Sequence, residues 1–229
     1  MKANERKIGV ILSYLAIFLS IGISLLFTPF MLRKLGQAEY GLLSLVNSIV
    51  AYLTILDFGF SNAIVRYTAK HRAQGDKEGE HSLYGMFLLL YLVIGIVSFV
   101  VGLYVLYNMG SLFGNSLSPK ELEIAKVLFL IAIIDISVAF PLSLYSSIII
   151  AYEKFTFSRL MQLARICITP LFTLGILIVG YKAIGMMVVT ITVSILVDVA
   201  NYVYCRRTLK IKLSFQHFNL SILDRKSVV

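Results

Sequence analysis

The chain alternates long apolar runs with short polar interruptions. Six runs stand out, at residues 8–32, 40–65, 84–107, 125–150, 160–180 and 183–204. The shortest holds 21 residues, and a helix needs ~20 to cross a hydrocarbon core. A helix on the surface of a soluble core shows an apolar stripe and a polar face, whereas these runs are apolar all round. The pattern predicts an all-α integral membrane protein with a six-helix transmembrane lobe over residues 1–204 and a tail over 205–229. The interruptions, 33–39, 66–83, 108–124, 151–159 and 181–182, are too short to fold into domains.

Composition agrees. Hydrophobic residues make up 59% of the 229, and only 14% are charged, against roughly 25% in soluble domains. Lys2, Arg6 and Lys7 precede the first run as in a secretory leader, but its 25 apolar residues exceed a leader's 7–15 or so. We expect it to be retained as a helix.

The net charge of +9 does not point to nucleic acid, because its placement follows the membrane. With the N-terminus inside, 15 of the 21 basic residues fall on the cytoplasmic side and five on the other, with Arg165 within a helix. Basic residues accumulate on the cytoplasmic side of multi-pass proteins. We therefore expect a cell-membrane protein with both termini cytoplasmic, in contact with membrane lipid and with no nucleic-acid partner. Cys167 and Cys205 lack ligand or disulfide spacing and are expected to pack. No cofactor or metal site is expected.

Local signals refine the boundaries. Ser118-Pro119-Lys120-Glu121 is a capping box with proline at the first helical position, so the fourth helix starts outside the apolar run. Tyr40, Tyr104, Tyr107 and Tyr181 on one side, and Tyr67, Tyr84, Tyr152, Tyr202 and Tyr204 on the other, have the placement of an interfacial aromatic belt. Pro29, Pro141 and Pro170 each remove a helix hydrogen bond and favour a bend. In the tail, Leu209, Ile211, Leu213 and Phe215 alternate with Lys210, Lys212, Ser214 and Gln216. That alternation predicts a basic amphipathic segment with its apolar side toward lipid.

Four ionisable residues fall inside the runs: Asp57, Asp135, Arg165 and Asp198. Such groups are costly at membrane depth and mark candidate functional sites. At 1.5 Å per residue, Arg165 and Asp198 both lie about 8–9 Å from the cytoplasmic face, Asp57 about 12 Å and Asp135 about 15 Å. The fifth and sixth helices are joined by two residues, so Arg165 and Asp198 are expected to meet. They form either a structural pair or a cavity arginine with its counter-ion. Asp57 and Asp135 are candidate proton or cation sites, or carboxyls neutralised by neighbouring helices. Asp57-Phe58-Gly59 spells a kinase tripeptide but has no glycine-rich or catalytic loop beside it. Asn219-Leu220-Ser221 is a glycosylation sequence on the wrong side of the membrane. His71 and His81, flanking Asp76, Glu78 and Glu80, fit no metal spacing and read as a solvated loop.

Leu35-Gly36, Tyr40-Gly41-Leu42, Leu56-Asp57-Phe58-Gly59, Asn62-Ala63 and Arg66-Tyr67 resemble the N-terminal signature of polysaccharide (O-antigen-type) flippases. These belong to the multidrug/oligosaccharidyl-lipid/polysaccharide exporter superfamily. The specific part covers about residues 28–72, while helix order and loop lengths extend the likeness along the chain. The resemblance implies a MATE-like fold of two six-helix lobes around a cavity, of which this chain supplies one. A second lobe, or a second copy, is the implied partner, and the basic tail looks like the connector. The implied function is transport, not enzymology: a polyprenyl-pyrophosphate-linked oligosaccharide flipped to the outer leaflet for O-antigen or lipopolysaccharide assembly. In that reading Arg66 and Arg165 attract the pyrophosphate, while Asp57, Asp135 and Asp198 serve ion coupling or gating. Alternatives are a cation-coupled multidrug exporter of the same superfamily and a non-transporting membrane subunit. A membrane glycan polymerase or ligase lacks a loop long enough for a catalytic site.

Overall fold

The computed structural model describes the backbone of residues 2–214 and the side chains of 7–214. The rest of the tail, including Phe215, Gln216, the Asn219 sequence and the final basic residues, lies outside the described residues. The elements are helices α1 (Lys2–Thr54), α2 (Phe60–Gln74), α3 (Lys77–Phe113), α4 (Pro119–Ala151), α5 (Phe155–Val179) and α6 (Ala183–Arg207), with a 3₁₀ turn, Ile55–Asp57, between α1 and α2. All the regular structure among the described residues is helical, and the chain is a multi-pass membrane protein.

Five helical segments are long and apolar enough to cross a membrane, not the six expected from the runs. The difference arises at residues 33–39, expected as a loop. Helix continues through them on both sides of Gly36, which alone is non-helical at φ 78°, ψ 164°. Only glycine reaches such a backbone without steric cost, so the first two runs form one element broken at one residue. The contacts show the path of the chain. Gly9 abuts Phe155 at the start of α5, Glu39 reaches Lys182 and Ala183 at the start of α6, and Arg72 bonds Ala151 at the end of α4. The chain therefore runs from one end of the bundle to the other and returns.

A second break interrupts the run 40–65, expected to be a continuous helix. Phe58 (φ 46°) and Gly59 (φ 76°) are both left-handed. Conversely, the expected 18-residue loop 66–83 shrinks to Gly75 and Asp76, because α2 ends in a left-handed glycine cap and α3 begins at once. The Asp76 side chain caps α3 through the Gly79 N–H at 2.8 Å, with His71 Nδ1 at 2.9 Å. The capping box of α4 forms as expected, Ser118 and Glu121 each satisfying the other's backbone.

Helices α3 and α4 approach one another closely. A Cβ on Gly95 would lie 2.6 Å from the Ser137 carbonyl oxygen, and one on Gly102 would lie 2.7 Å from the Ile133 side chain. Small residues are what allow membrane helices to approach this closely, since packing rather than water exclusion holds them together. One apolar cluster, around Tyr84, Phe87, Tyr91, Leu144 and Ile148, fills the bundle on the Arg72–Ala151 side. A second, around Leu35, Val46, Met109, Leu128 and Phe129, fills the Glu39–Lys182 side.

The tail departs from expectation. Ile211 is 3% exposed, and Leu209 and Leu213 pack on the first cluster rather than facing lipid. The Ile211 N–H donates to Cys205 O at 3.1 Å and the Ser214 N–H to His81 O at 3.0 Å. The tail's backbone groups thus find partners on the lobe, which holds its apolar side inward. Tyr84 and Tyr67 are buried too, unlike the exposed Tyr104, Tyr107 and Tyr181, which match the belt. Cys205 is buried as expected for packing, whereas Cys167 is exposed.

Two expected outcomes follow from these contacts. Gly95→Leu should lower the unfolding midpoint in detergent by the equivalent of about 1–3 kcal/mol, the range for overpacking. Gly22→Leu, at a position with nothing within 4 Å, should leave it within error. The Asp76 carboxyl is held below its ordinary 3.8 by the Gly79 N–H and then by His71. A depressed folded pKa means that its contribution is complete above about pH 4 and fades as pH falls through the lowered value. Asp76→Asn should therefore flatten the acid limb of a stability–pH curve and leave its alkaline limb unchanged.

Candidate functional site

The expected meeting of α5 and α6 occurs. Arg165 Nη2 lies 3.7 Å from Asp198 Oδ1, an ion pair too long for a hydrogen bond. The short connection Gly180–Lys182, one residue longer than expected, sets the helices antiparallel, and the equal depth of the two residues does the rest. The pair is not closed: 46% of the Arg165 side chain is exposed, against 16% for Asp198. It lines a cleft of about 210 Å³ with Ser146 of α4, Ser158 and Gln162 of α5, and Asn201 of α6. Asp135 on α4 interacts electrostatically with both members of the pair. Arg159 holds Gln162 Oε1 at 2.7 Å one turn away. The cleft thus offers a guanidinium, one carboxylate, hydroxyls and amides within the span of three helices.

The structure does not bring Asp57 or Arg66 into this cleft. Asp57 is half-buried against α3, where Tyr91 Oη donates to its Oδ1 at 2.8 Å and lies 3.1 Å from Ser61 Oγ. Arg66 is exposed on α2, one turn past Asn62. Of the sequence-predicted residues, Arg165 and Asp198 therefore line the cleft with Asp135 within electrostatic reach, while Asp57 and Arg66 lie apart.

Two polar constellations escaped the sequence reading. Glu80, assigned to a solvated loop, is 5% exposed. Tyr84 Oη donates to its Oε1 at 2.8 Å, and Tyr152 Oη donates to the same oxygen. The Arg72 guanidinium sits 4.0 Å above the Tyr152 ring and donates to Ala151 O at 2.9 Å. A buried carboxylate needs such donors. Tyr84 lies one turn from Glu80 and gave a local signal, but Tyr152 is 72 residues away and gave none. Glu39 is the other case. It receives the Ala183 N–H at 3.1 Å and Lys182 Nζ at 2.8 Å, anchoring the residues after Gly36 to the start of α6. That contact raises the Lys182 pKa, through the hydrogen bond first and the charge second.

The fold places the chain in a class. A MATE transporter solved in complex with MaD3S superposes with a TM-score of 0.75 at 15% identity, with 96% of this chain covered and 50% of that one. A transporter of the MOP superfamily from Pyrococcus furiosus, whose description notes a binding pocket of reversed polarity, gives 0.74 at 15%, with the same coverage. A multidrug-resistance MATE transporter in an outward-facing conformation gives 0.73 at 15%, again with 96% and 50% covered. The chain therefore has the fold of one lobe of these transporters and spans about half their length.

The family is narrower than the fold. The profile of the polysaccharide biosynthesis proteins matches residues 7–228, and the chain belongs to that family. No curated protein matches it.

The Arg165–Asp198 contact predicts coupled energetics. Unfolding free energies of Arg165→Ala, Asp198→Ala and the double variant should be non-additive by about 0.5–3 kcal/mol, as for residues in contact. The double variant should lose less than the sum of the singles. Strict additivity in detergent unfolding would show that the two charges do not sense one another.

Proposed function

We propose that this chain is one lobe of a transporter that moves a polyprenyl-pyrophosphate-linked oligosaccharide across the cell membrane, for O-antigen-type polysaccharide assembly. The observation that carries the reading is the family match over nearly the whole chain, joined to a cleft with a part-exposed arginine. Arginine's planar fork presents two parallel donors to a phosphate. Arg165 would hold the pyrophosphate, with Ser146, Ser158 and Asn201 hydrogen-bonding its oxygens or the first sugar. Arg66 would attract the anion at the mouth of α2. Asp198 and Asp135 would return Arg165 to a neutralised state when the substrate leaves, and Asp57 would contribute to gating. The role is transport rather than catalysis, a reading the family and fold support.

In this proposal the chain crosses the membrane six times, α1 supplying two crossings that meet at Gly36, with both termini on the cytoplasmic side. Residues 205–229 would lead toward a second lobe, supplied by a longer form of the protein, by a second component or by another copy. Alternating access needs two bodies moving around a shared site, and this chain spans half of the transporters it resembles. A second reading, a cation-coupled exporter of the same superfamily, is favoured by one observation: beside the Arg165–Asp198 pair that lines the cleft, a second carboxyl, Asp135, lies within electrostatic reach of both.

Proteoliposomes holding a fluorescent polyprenyl-pyrophosphate oligosaccharide test this. The chain alone should not move the lipid between leaflets, and the chain with its second lobe should. Arg165→Ala should slow that movement by at least about tenfold, the worth of one charge-assisted hydrogen bond of roughly 1.5 kcal/mol or more. Flipping by a monomeric 229-residue chain, or an Arg165→Ala complex as fast as the parent, would refute the assignment. Uptake of a cationic dye without lipid flipping would favour the second reading.

A further inference from the structure

The break between α1 and α2 interrupts an apolar run. The chain passes through the 3₁₀ turn Ile55–Asp57 and two left-handed residues, Phe58 and Gly59, before helix resumes at Phe60. Phe58 is not glycine, so its φ of 46° is backbone that must be held by its surroundings. Irregular backbone within an apolar span is tolerated where protein groups re-satisfy it. Here the Phe58 N–H returns to Ile55 O at 3.1 Å and the Asn62 N–H to Gly59 O at 3.0 Å, while the side-chain bonds that bridge the break come from one residue of α3. Tyr91 is fully buried, its ring stacks on Phe140 of α4 at 6.4 Å, and its hydroxyl meets Asp57 on one side of the break and Ser61 on the other. Phe60, the first residue of α2, stacks edge-on with Phe87, one turn earlier on α3, at 6.2 Å.

The two sides of the break also pack differently. Helix α1 lies against α4, α5 and α6, while α2 lies against α3 and α4. The two segments share α4 but otherwise differ in their neighbours, and they touch through a turn without regular helical bonding. We propose that Phe58-Gly59 is a hinge between α1 and α2, and that Tyr91 is its clasp, a positioning residue whose single hydroxyl holds both halves at a fixed angle. One hydroxyl donates to the carboxylate of Asp57 and keeps its lone pairs for Ser61, so a single atom ties the two segments to α3. Loss of that atom frees the angle while the ring still fills its place against Phe140. The proposal concerns the motion of this lobe and stands independently of what the complete transporter carries.

Paired spin labels in the full chain, in lipid nanodiscs and a Cys167→Ser/Cys205→Ala background, test it. Labels at Ser48 on α1 and Lys70 on α2 span the break. Labels at Leu89 on α3 and Val127 on α4 do not, and all four positions are exposed. The parent should give one narrow Ser48–Lys70 distance distribution. Tyr91→Phe should broaden it or add a second component while the Leu89–Val127 distribution stays unchanged, which a general loss of packing would not do. Ser61→Ala, which removes only the α2 arm of the clasp, should broaden the same distribution to a smaller extent. If Tyr91→Phe does not fold, Ser61→Ala carries the test alone. An unchanged Ser48–Lys70 distribution in whichever of these variants folds would overturn the proposal, as would broadening of both pairs together.

Discussion

Inside hydrocarbon no water is available to an unpaired peptide group, and each such group costs several kcal/mol. A chain that is 59% hydrophobic is therefore committed to long helices. It turns only where left-handed backbone or a dedicated side chain satisfies the freed groups. The turns of this protein obey that constraint. Gly36 reverses α1 at one residue, and Glu39 immediately pins the returning helical segment to the first N–H of α6. Gly75 and Gly180 close α2 and α5 with left-handed caps whose N–H groups return to the preceding turns. At Phe58-Gly59 the break occurs within an apolar run, and the buried hydroxyl of Tyr91 stands across it.

The same constraint explains how the candidate chemistry is carried. Rigid helices hold side chains at fixed depths, so a short connection such as Gly180–Lys182 suffices to bring Arg165 and Asp198 to one level. The cleft they line opens between three helices rather than in a loop. The close α3–α4 seam at Gly95 and Gly102 supplies a rigid wall from which Tyr91 and Glu80 reach α2 and the end of α4. The lobe is thus stiff along α3–α4 and articulated at α1–α2.

Much of this was legible in the sequence. Run lengths gave the all-helical membrane class, the two-residue connection gave the Arg165–Asp198 pair, and Ser118-Pro119-Lys120-Glu121 gave the start of α4. What was not legible depended on partners distant in sequence or on a single dihedral. Gly36 within Leu35-Gly36-Gln37 has the composition of a loop, and nothing local says that helix resumes on either side. Asp57-Phe58-Gly59 lies in an apolar run whose hydropathy hides the break. Glu80 sits among charged residues, and its burial rests on Tyr152, reached only when α4 folds back. The tail alternates as a surface segment does, and in its described part the backbone groups of Cys205 and His81, with the Arg206 guanidinium on Ile211 O, hold the apolar side inward.

The account stands on the reversal at Gly36, since a chain whose Gly9 and Arg72 both lie at the α4–α5 end of the bundle requires it. Single cysteines at Gln37 and Lys77, in a chain without Cys167 and Cys205, can be reacted with a membrane-impermeant maleimide in whole cells and after permeabilisation. The account predicts opposite sidedness, with Gln37 labelled from outside and Lys77 only after the membrane is opened. Labelling of both positions from the same side would contradict it, because the first two apolar runs would then not cross and return.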